Sequence, residues 1–337
     1  MSNDKLVQDA SVPVSEQPTR QSALYDRVAE QTASMIIREY STSFGMAARL
    51  LGAGVRQDVE NIYGLVRLAD EIVDGVAAYA GVSEKEIRRL LDELEEETEA
   101  AMKRGYSTNL VVHAFALTAR RTGIEPDLTL PFFKSMRTDI TRVTHTPQSF
   151  DEYVYGSAEV VGLMCLEAFL AGHTYTASER ERFVAGARAL GAAFQKVNFL
   201  RDLAADVDGL GRSYFPDVDV ATLTDEKKLE LVANIDLDLA VSAPIVADLP
   251  AASRRAVYLA QSLFAELKHL HAIAASACAQ CGTGVHPHLL KTKCHFSHLE
   301  NRACQAKTPT PLNYRPTTQR HAPKHLRGLW HWLRHTR

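Results

Sequence analysis

Asp70 and Asp74 stand four residues apart in NIYGLVRLADEIVDG, residues 61–75. That spacing puts both carboxylates on one helix face, and Arg67 and Tyr63 extend the face at steps of three and four. Like charges so placed weaken an isolated helix slightly, and unpaired carboxylates within an apolar helix cost more. Either the two acids are solvated at a helix end before Gly75, or a cation sits between them. Oxygen-only ligands suit Mg²⁺ better than Zn²⁺. A second segment, GAAFQKVNFLRDLAADVDGLGRSYFP (191–216), repeats the pattern with Gln195, Asn198, Asp202 and Asp206 at steps of three, four and four. Arg201 adjoins Asp202, and Arg212 follows in a Gly-flanked loop. Two amides and two carboxylates on one stripe suit neither a surface nor a core. Facing the first stripe across a cavity, they would form a cage of oxygen ligands for Mg²⁺ and for the oxygens of a bound phosphate. The flanking arginines would neutralise the remaining charge of a diphosphate.

The elements that must carry these stripes are helical. From about Leu24 to Leu270 apolar residues recur at three- and four-residue steps, as in Val28, Met35, Ile36 and Tyr40, or Ile62, Leu65, Val66, Ala69, Ile72 and Val73. EKEIRRLLDELEEETEAAMKRG is rich in strong helix formers and ends at Gly105, a C-cap. Pro126, Pro131, Pro147 and Pro216 mark junctions or first turns, and no run of alternating β-branched residues predicts a strand. The expected fold class is all-α, with around ten helices and short connections. Three parts are expected: a flexible polar lead-in over 1–22, an all-α domain over 23–271, and a distinct tail over 272–337.

Of the 337 residues 46% are hydrophobic and 23% charged, which excludes a collagen-like, coiled-coil or wholly disordered chain. No apolar run approaches the roughly 20 residues of a membrane-spanning helix. The start lacks a signal-peptide core, so a cytoplasmic location is expected. The net charge of −3 averages two unlike parts. Residues 272–337 hold ten Lys or Arg against the single acid Glu300, a charge of +9; the 28 basic and 40 acidic residues of 1–271 sum to −12.

The two acidic segments resemble the paired aspartate-rich motifs of the squalene and phytoene synthase family, ADEIVDG the first and QKVNFLRDLAADVDGLGRSYFP the second. FDEYVYGSAEVVGLMCLEAF (150–169) is similar to that family's central-helix segment, and EYSTSFGMAARLL (39–51) to its N-terminal serine-and-phenylalanine element. The resemblance runs from about residue 30 to 270, and its wording is nearest phytoene synthases of actinobacterial type. It implies a single-domain isoprenoid-synthase bundle around a central apolar cavity. It also implies a Mg²⁺-dependent transferase that joins two geranylgeranyl diphosphates head to head. The product would be 15-cis-phytoene, formed through a cyclopropyl (prephytoene) diphosphate in the first committed step of carotenoid biosynthesis. The alternatives are a squalene or dehydrosqualene synthase acting on farnesyl diphosphate, and a non-catalytic relative serving as an assembly factor.

By the same resemblance Asp70, Asp74, Asn198, Asp202 and Asp206 hold Mg²⁺, with Mn²⁺ as a substitute. Tyr63, Arg67, Gln195 and Arg201 contact the diphosphates, with Ser43 near them and Arg212 and Tyr214 in the loop that closes over the site. Tyr153 lines the cavity near the reacting carbons and is, with released diphosphate, a candidate base. Prenyl diphosphates are the implied partners, with peripheral association at the inner membrane face and downstream carotenoid enzymes, and no nucleic acid. The chain departs from the family pattern at Ala205, where a glutamate is common, at Glu159, where glycine is common, and at Phe264 in place of a late tyrosine. Glu159 would either place a carboxylate near the cavity wall or rotate it to a polar partner.

The remaining histidines and cysteines concentrate near the C-terminus. Cys278, Cys281, Cys294 and His298 have spacings a Zn²⁺ site could use. The low-acid, His/Thr/Pro-rich composition is also what a shifted reading frame through GC-rich coding sequence produces, and a basic contact with a membrane or partner is a third reading. Cys165 lies in an apolar helix and is expected to be buried. His113, His145 and His173 have no acidic or thiol neighbour at ligand spacing, which predicts surface or capping roles.

Overall fold

Small residues set how closely the helices approach. The first helix, α1 (Arg20–Tyr40), turns Ala29, Ala33 and Ile37 inward and leaves Val28 and Met35 exposed. Its Ala33 meets Gly64 of α3 (Ala53–Val73), where an added Cβ would lie 3.3 Å from that of Ala33. Larger side chains do not fit at that crossing.

The computed structural model describes residues 20–41, 43–73, 76–141, 144–210, 215–216, 218 and 224–280; residues 43, 78, 202–210 and 270–280 are described by their backbone. Between α1 and α3 lies α2 (Ser43–Ala48), and after them come α4 (Val76–Tyr79), α5 (Glu84–Arg104), α6 (Leu110–Thr122) and α7 (Pro126–Thr141). The chain continues through α8 (Pro147–Val154), a π-helical turn (Tyr155–Glu159), α9 (Val160–Leu170), α10 (Ala177–Leu210), α11 (Asp225–Val246) and α12 (Ala251–Gln280). No strand forms among the described residues. The all-α expectation holds.

Local chemistry ends α5 and opens α8 where expected, whereas Pro131, expected at a junction or first turn, lies inside α7. Ser83 accepts a hydrogen bond from the Glu86 amide at the start of α5, and Gly105 closes it in the left-handed conformation at φ 80°. Pro147 opens α8 behind a reciprocal Thr146–Ser149 capping box. Helix α12 runs to Gln280, beyond the expected change of character near 270, because HAIAASACAQ is rich in alanine and sustains the helix. Cys278 thus falls on the α12 backbone, while Cys281, Cys294 and His298 lie outside the described residues.

Helix α9 packs against both α3 and α10 and so spaces the two helices that carry the acidic motifs. Its Met164 is fully buried, and Phe115, Phe132 and Phe133 belong to the same core. Through the π turn, α8 and α9 form one helical stretch, Pro147–Leu170, long and apolar enough to span a membrane by composition, with 56% of the apolar window buried. The sequence expectation of no such run is corrected here. The acids Asp151, Glu152, Glu159 and Glu167 interrupt the linear run without interrupting the helix. Burial among α3, α7 and α10 accounts for its apolar character.

Contact with α10 is made backbone to backbone. A Cβ on Gly162 would stand 2.6 Å from the Ala187 carbonyl oxygen, and one on Gly191 would stand 2.6 Å from that of Ala158. Gly162→Ala must push α9 from α10. We expect a loss of about 1–3 kcal/mol, read as a lower denaturant midpoint at unchanged m-value.

Candidate active site

Arg67 is the centre of the first stripe. It lies on the part of α3 that faces the α1–α2 junction, with its guanidinium 4.5 Å from the Tyr40 ring centroid and ion-paired to Glu71. Its Nε is buried with no hydrogen-bond partner among the described residues, a donor that an oxyanion would satisfy. Burial alone would lower the Arg67 pKa, but the Glu71 hydrogen bond and the charges of Asp70 and Glu71 outweigh it and raise it. The cation is therefore fixed.

Tyr63, one turn before Arg67, stacks on Phe44 with centroids 5.9 Å apart. Burial pushes its phenol above the ordinary value, Asp70 and Glu71 act in the same direction, and Arg67 and a hydrogen bond with Ser41 oppose them. The outcome is a neutral phenol beside a permanent cation. The hydroxyl brought to Tyr63 is that of Ser41, which the sequence reading did not select; Ser43 begins α2, with only its backbone described. Helix α3 ends at Val73, so Asp74 lies outside the described residues.

The second stripe lies on α10. Gln195 and Asn198 are half-buried; Gln195 Nε2 donates to Ser157 Oγ at 3.3 Å, and Arg201 Nη1 to Asn198 Oδ1 at 3.3 Å. Ser157 belongs to the π turn, whose widened backbone pairs the Val160 amide with the Tyr155 carbonyl. Such turns recur at functional sites because they re-aim side chains. The same turn directs Glu159 to Arg188, whose Nε lies 2.7 Å from Glu159 Oε2. The carboxylate has thus rotated to a polar partner, the second of its two expected placements. Asp202 and Asp206 continue the stripe on the α10 backbone, their side chains lying outside the description together with Ala205. Arg212 and Tyr214 also lie outside the described residues. The structure thus joins Tyr63, Arg67 and Asp70 on one helix, and Gln195, Asn198 and Arg201 on another.

Tyr153 sits between these helices in sequence and contacts α10 directly. It is 5% exposed, stacks on Phe199 at 6.0 Å and has the His145 ring 4.9 Å away. Phe150 and Phe215 lie against Phe199 at 5.9 and 5.8 Å. The Tyr153 hydroxyl donates to Asp139 Oδ2 at 2.9 Å, and Asp139 is 4% exposed on α7. Sequence reasoning missed Asp139. Its signal was present, since Phe132, Ser135, Met136 and Asp139 share the buried stripe of α7 and a lone acid there needs a partner.

Elsewhere Cys165 is buried as expected, and burial pushes its thiol up to about 12. His113 is not at the surface. It is 2% exposed and paired through Nε2 with Asp26 at 2.8 Å, a partner 87 residues away that linear spacing could not reveal. His145 precedes α8, its Nδ1 3.2 Å from the Ser149 carbonyl oxygen and 3.3 Å from Ser149 Oγ, while Thr146 supplies the cap. Phe264 stacks on Phe194 with centroids 3.9 Å apart, which fills the place of the missing tyrosine with apolar contact.

The squalene/phytoene synthase family profile matches residues 37–281, and the chain belongs to that family. It is 29% identical over 189 residues to the 15-cis-phytoene synthase of Paracoccus sp., covering 55% of this chain and 59% of that protein. Against the chloroplastic phytoene synthase 3 of Zea mays it is 30% identical over 200 residues, covering 58% and 45%. The chain thus matches between 45% and 59% of the length of these relatives. The fold is shared with the squalene synthase HpnC of Alicyclobacillus acidocaldarius, at TM-score 0.64 and 18% identity over 75% of this chain and 96% of that one.

Tyr153→Phe removes one hydrogen bond from the buried Asp139 carboxylate while keeping the ring. The expected loss is about 1–3 kcal/mol, measured by chemical denaturation.

Proposed function

We propose that this chain is a phytoene synthase, a prenyltransferase that condenses two geranylgeranyl diphosphates head to head and releases diphosphate. The observation that carries the reading is Arg67, a half-buried cation whose buried Nε has no hydrogen-bond partner among the described residues, beside Asp70 and the neutral Tyr63 phenol. That arrangement suits an incoming diphosphate oxygen. The phytoene synthases among the relatives support the choice of substrate class.

Five residues would hold Mg²⁺: Asp70, Asp74, Asn198, Asp202 and Asp206. Carboxylate and amide oxygens on two helices are a hard donor set that suits it, with Mn²⁺ as a substitute. When bound, Mg²⁺ neutralises diphosphate charge and makes it a better leaving group. Arg67, Tyr63, Gln195 and Arg201 bind and orient the diphosphates, and Arg212 and Tyr214 close over them. The aromatic wall of Phe150, Tyr153, Phe199 and Phe215 excludes water and offers ring faces to the allylic cation. With its proton engaged by Asp139, the Tyr153 oxygen acts toward other groups as an acceptor. The first condensation forms a cyclopropyl diphosphate as one diphosphate and one proton leave; ionisation of that intermediate releases the second diphosphate, and the rearranged cation loses a second proton, with released diphosphate as acceptor, to give the linear C40 product. Long hydrocarbon substrates and products favour work at the inner membrane surface, next to the enzymes that consume the product.

Purified protein with Mg²⁺ and geranylgeranyl diphosphate, without nucleotide, should yield a C40 hydrocarbon. Asp70→Ala and Asp202→Ala should each lower turnover by about 10²-fold or more. Product formed only from farnesyl diphosphate with NADPH would replace this reading with a squalene synthase. Undiminished turnover in either variant would contradict the metal assignment.

A further inference from the structure

A cavity of about 450 Å³ opens between α1, α2 and the first turns of α3, and neither stripe of the active site lines it. Its walls bring together Arg38, Arg49 and Arg56 with Ser34, Gln57 and Glu60. Three arginines and one glutamate are among the lining residues, so the lining carries a net charge of about +2 at neutral pH. Glu60 is engaged by the Ser34 hydroxyl, and Gln57 Nε2 donates to Asn61 Oδ1 at 2.9 Å, to the Glu30 carbonyl at 3.1 Å and to Ser34 Oγ at 3.4 Å.

Two of the arginines are held by the backbone. Arg38 Nε donates to the Ser34 carbonyl at 3.1 Å and Arg56 Nη2 to the Leu51 carbonyl at 3.2 Å, both single bonds from five-donor groups. Arg56 Nε is buried with no hydrogen-bond partner among the described residues. A buried guanidinium donor without an acceptor is costly, and an oxyanion is its natural partner. The cavity also takes in Ala53, the first residue of α3, whose helix dipole points positive charge the same way. It is separate from the diphosphate site, since Arg56 precedes Tyr63 by seven residues, roughly 10 Å along the helix.

We propose that this cavity binds a phosphate group on Arg38, Arg49 and Arg56, either as free phosphate or as the headgroup of an anionic phospholipid. A guanidinium trio matches several oxygens of one tetrahedral anion at once, which a single carboxylate ligand would not use. The volume exceeds that of a monatomic ion. The proposal does not depend on the prenyltransferase reading, because its readout is binding in the absence of Mg²⁺ and of prenyl substrate.

The test uses the full chain in Mg²⁺-free buffer. Equilibrium dialysis against labelled inorganic phosphate is run on the native protein, on Arg49→Glu, on Arg38→Glu and on Arg67→Gln. Arg38 and Arg49 are both exposed, so their reversal leaves the core intact, and thermal melting checks it. In parallel, co-sedimentation is measured with phosphatidylcholine vesicles with and without phosphatidic acid. If free phosphate is the ligand, saturable binding weakens about tenfold or more in Arg49→Glu and Arg38→Glu and persists in Arg67→Gln. If a lipid headgroup is the ligand, sedimentation with phosphatidic acid vesicles is lost in the same two variants and retained in Arg67→Gln. Binding that is absent in both assays, or that follows Arg67 rather than Arg49 and Arg38, overturns the proposal.

Discussion

Backbone contact between helices is the constraint on which the rest of this structure depends. Helix α9 packs against α3 and α10; its Gly162 meets the α10 backbone at Ala187, and Gly191 of α10 meets the π turn at Ala158, in both places without an intervening side chain. Nothing in those contacts can be repacked, because the nearest atoms belong to carbonyl groups. The relation of the π turn to α10 is thereby fixed, and with it the approach of Ser157 to Gln195. A close crossing in which the Ala33 methyl lies against Gly64 sets α1 against α3 and brings Tyr40 and Ser41 to the Arg67 face.

On that frame the electrostatics are unbalanced by design of the sequence. Arg67 is half-buried and ion-paired, yet one of its donors has no partner. Helix stability alone would favour satisfying it, as Arg137 is satisfied between Asp92 and Glu95 on the outside of the bundle. Buried donors held open are the signature of a group that waits for an anion. The aromatic cluster around Tyr153 supplies a different environment, of buried rings packed on one another. Polar stripe and apolar wall together suit a substrate with a charged head and a hydrocarbon tail.

Much of this was legible in the sequence. Periodicity gave the helices, Gly105 and Pro147 marked their ends, and the spacing of Tyr63, Arg67 and Asp70 placed them together on one face. What linear spacing could not show is where distant elements meet. Tyr153 finds Asp139, His113 finds Asp26, and Glu159 finds Arg188, each through tertiary packing across many residues. The π turn was equally hidden, because YGSAE has no composition that distinguishes it from an α-helical turn. The alanine-rich end of α12 outlasted the change in charge and histidine content that suggested a boundary near 270.

The central claim is that the acidic stripes of α3 and α10 serve one diphosphate-binding centre. Calorimetric binding of inorganic diphosphate in the presence of Mg²⁺, measured for the native protein, Asp70→Ala, Asp202→Ala and the double variant, addresses it directly. One shared centre predicts strong non-additivity, with the double variant binding little worse than either single one. Losses that simply add would mean that the two stripes act independently, and would contradict the account.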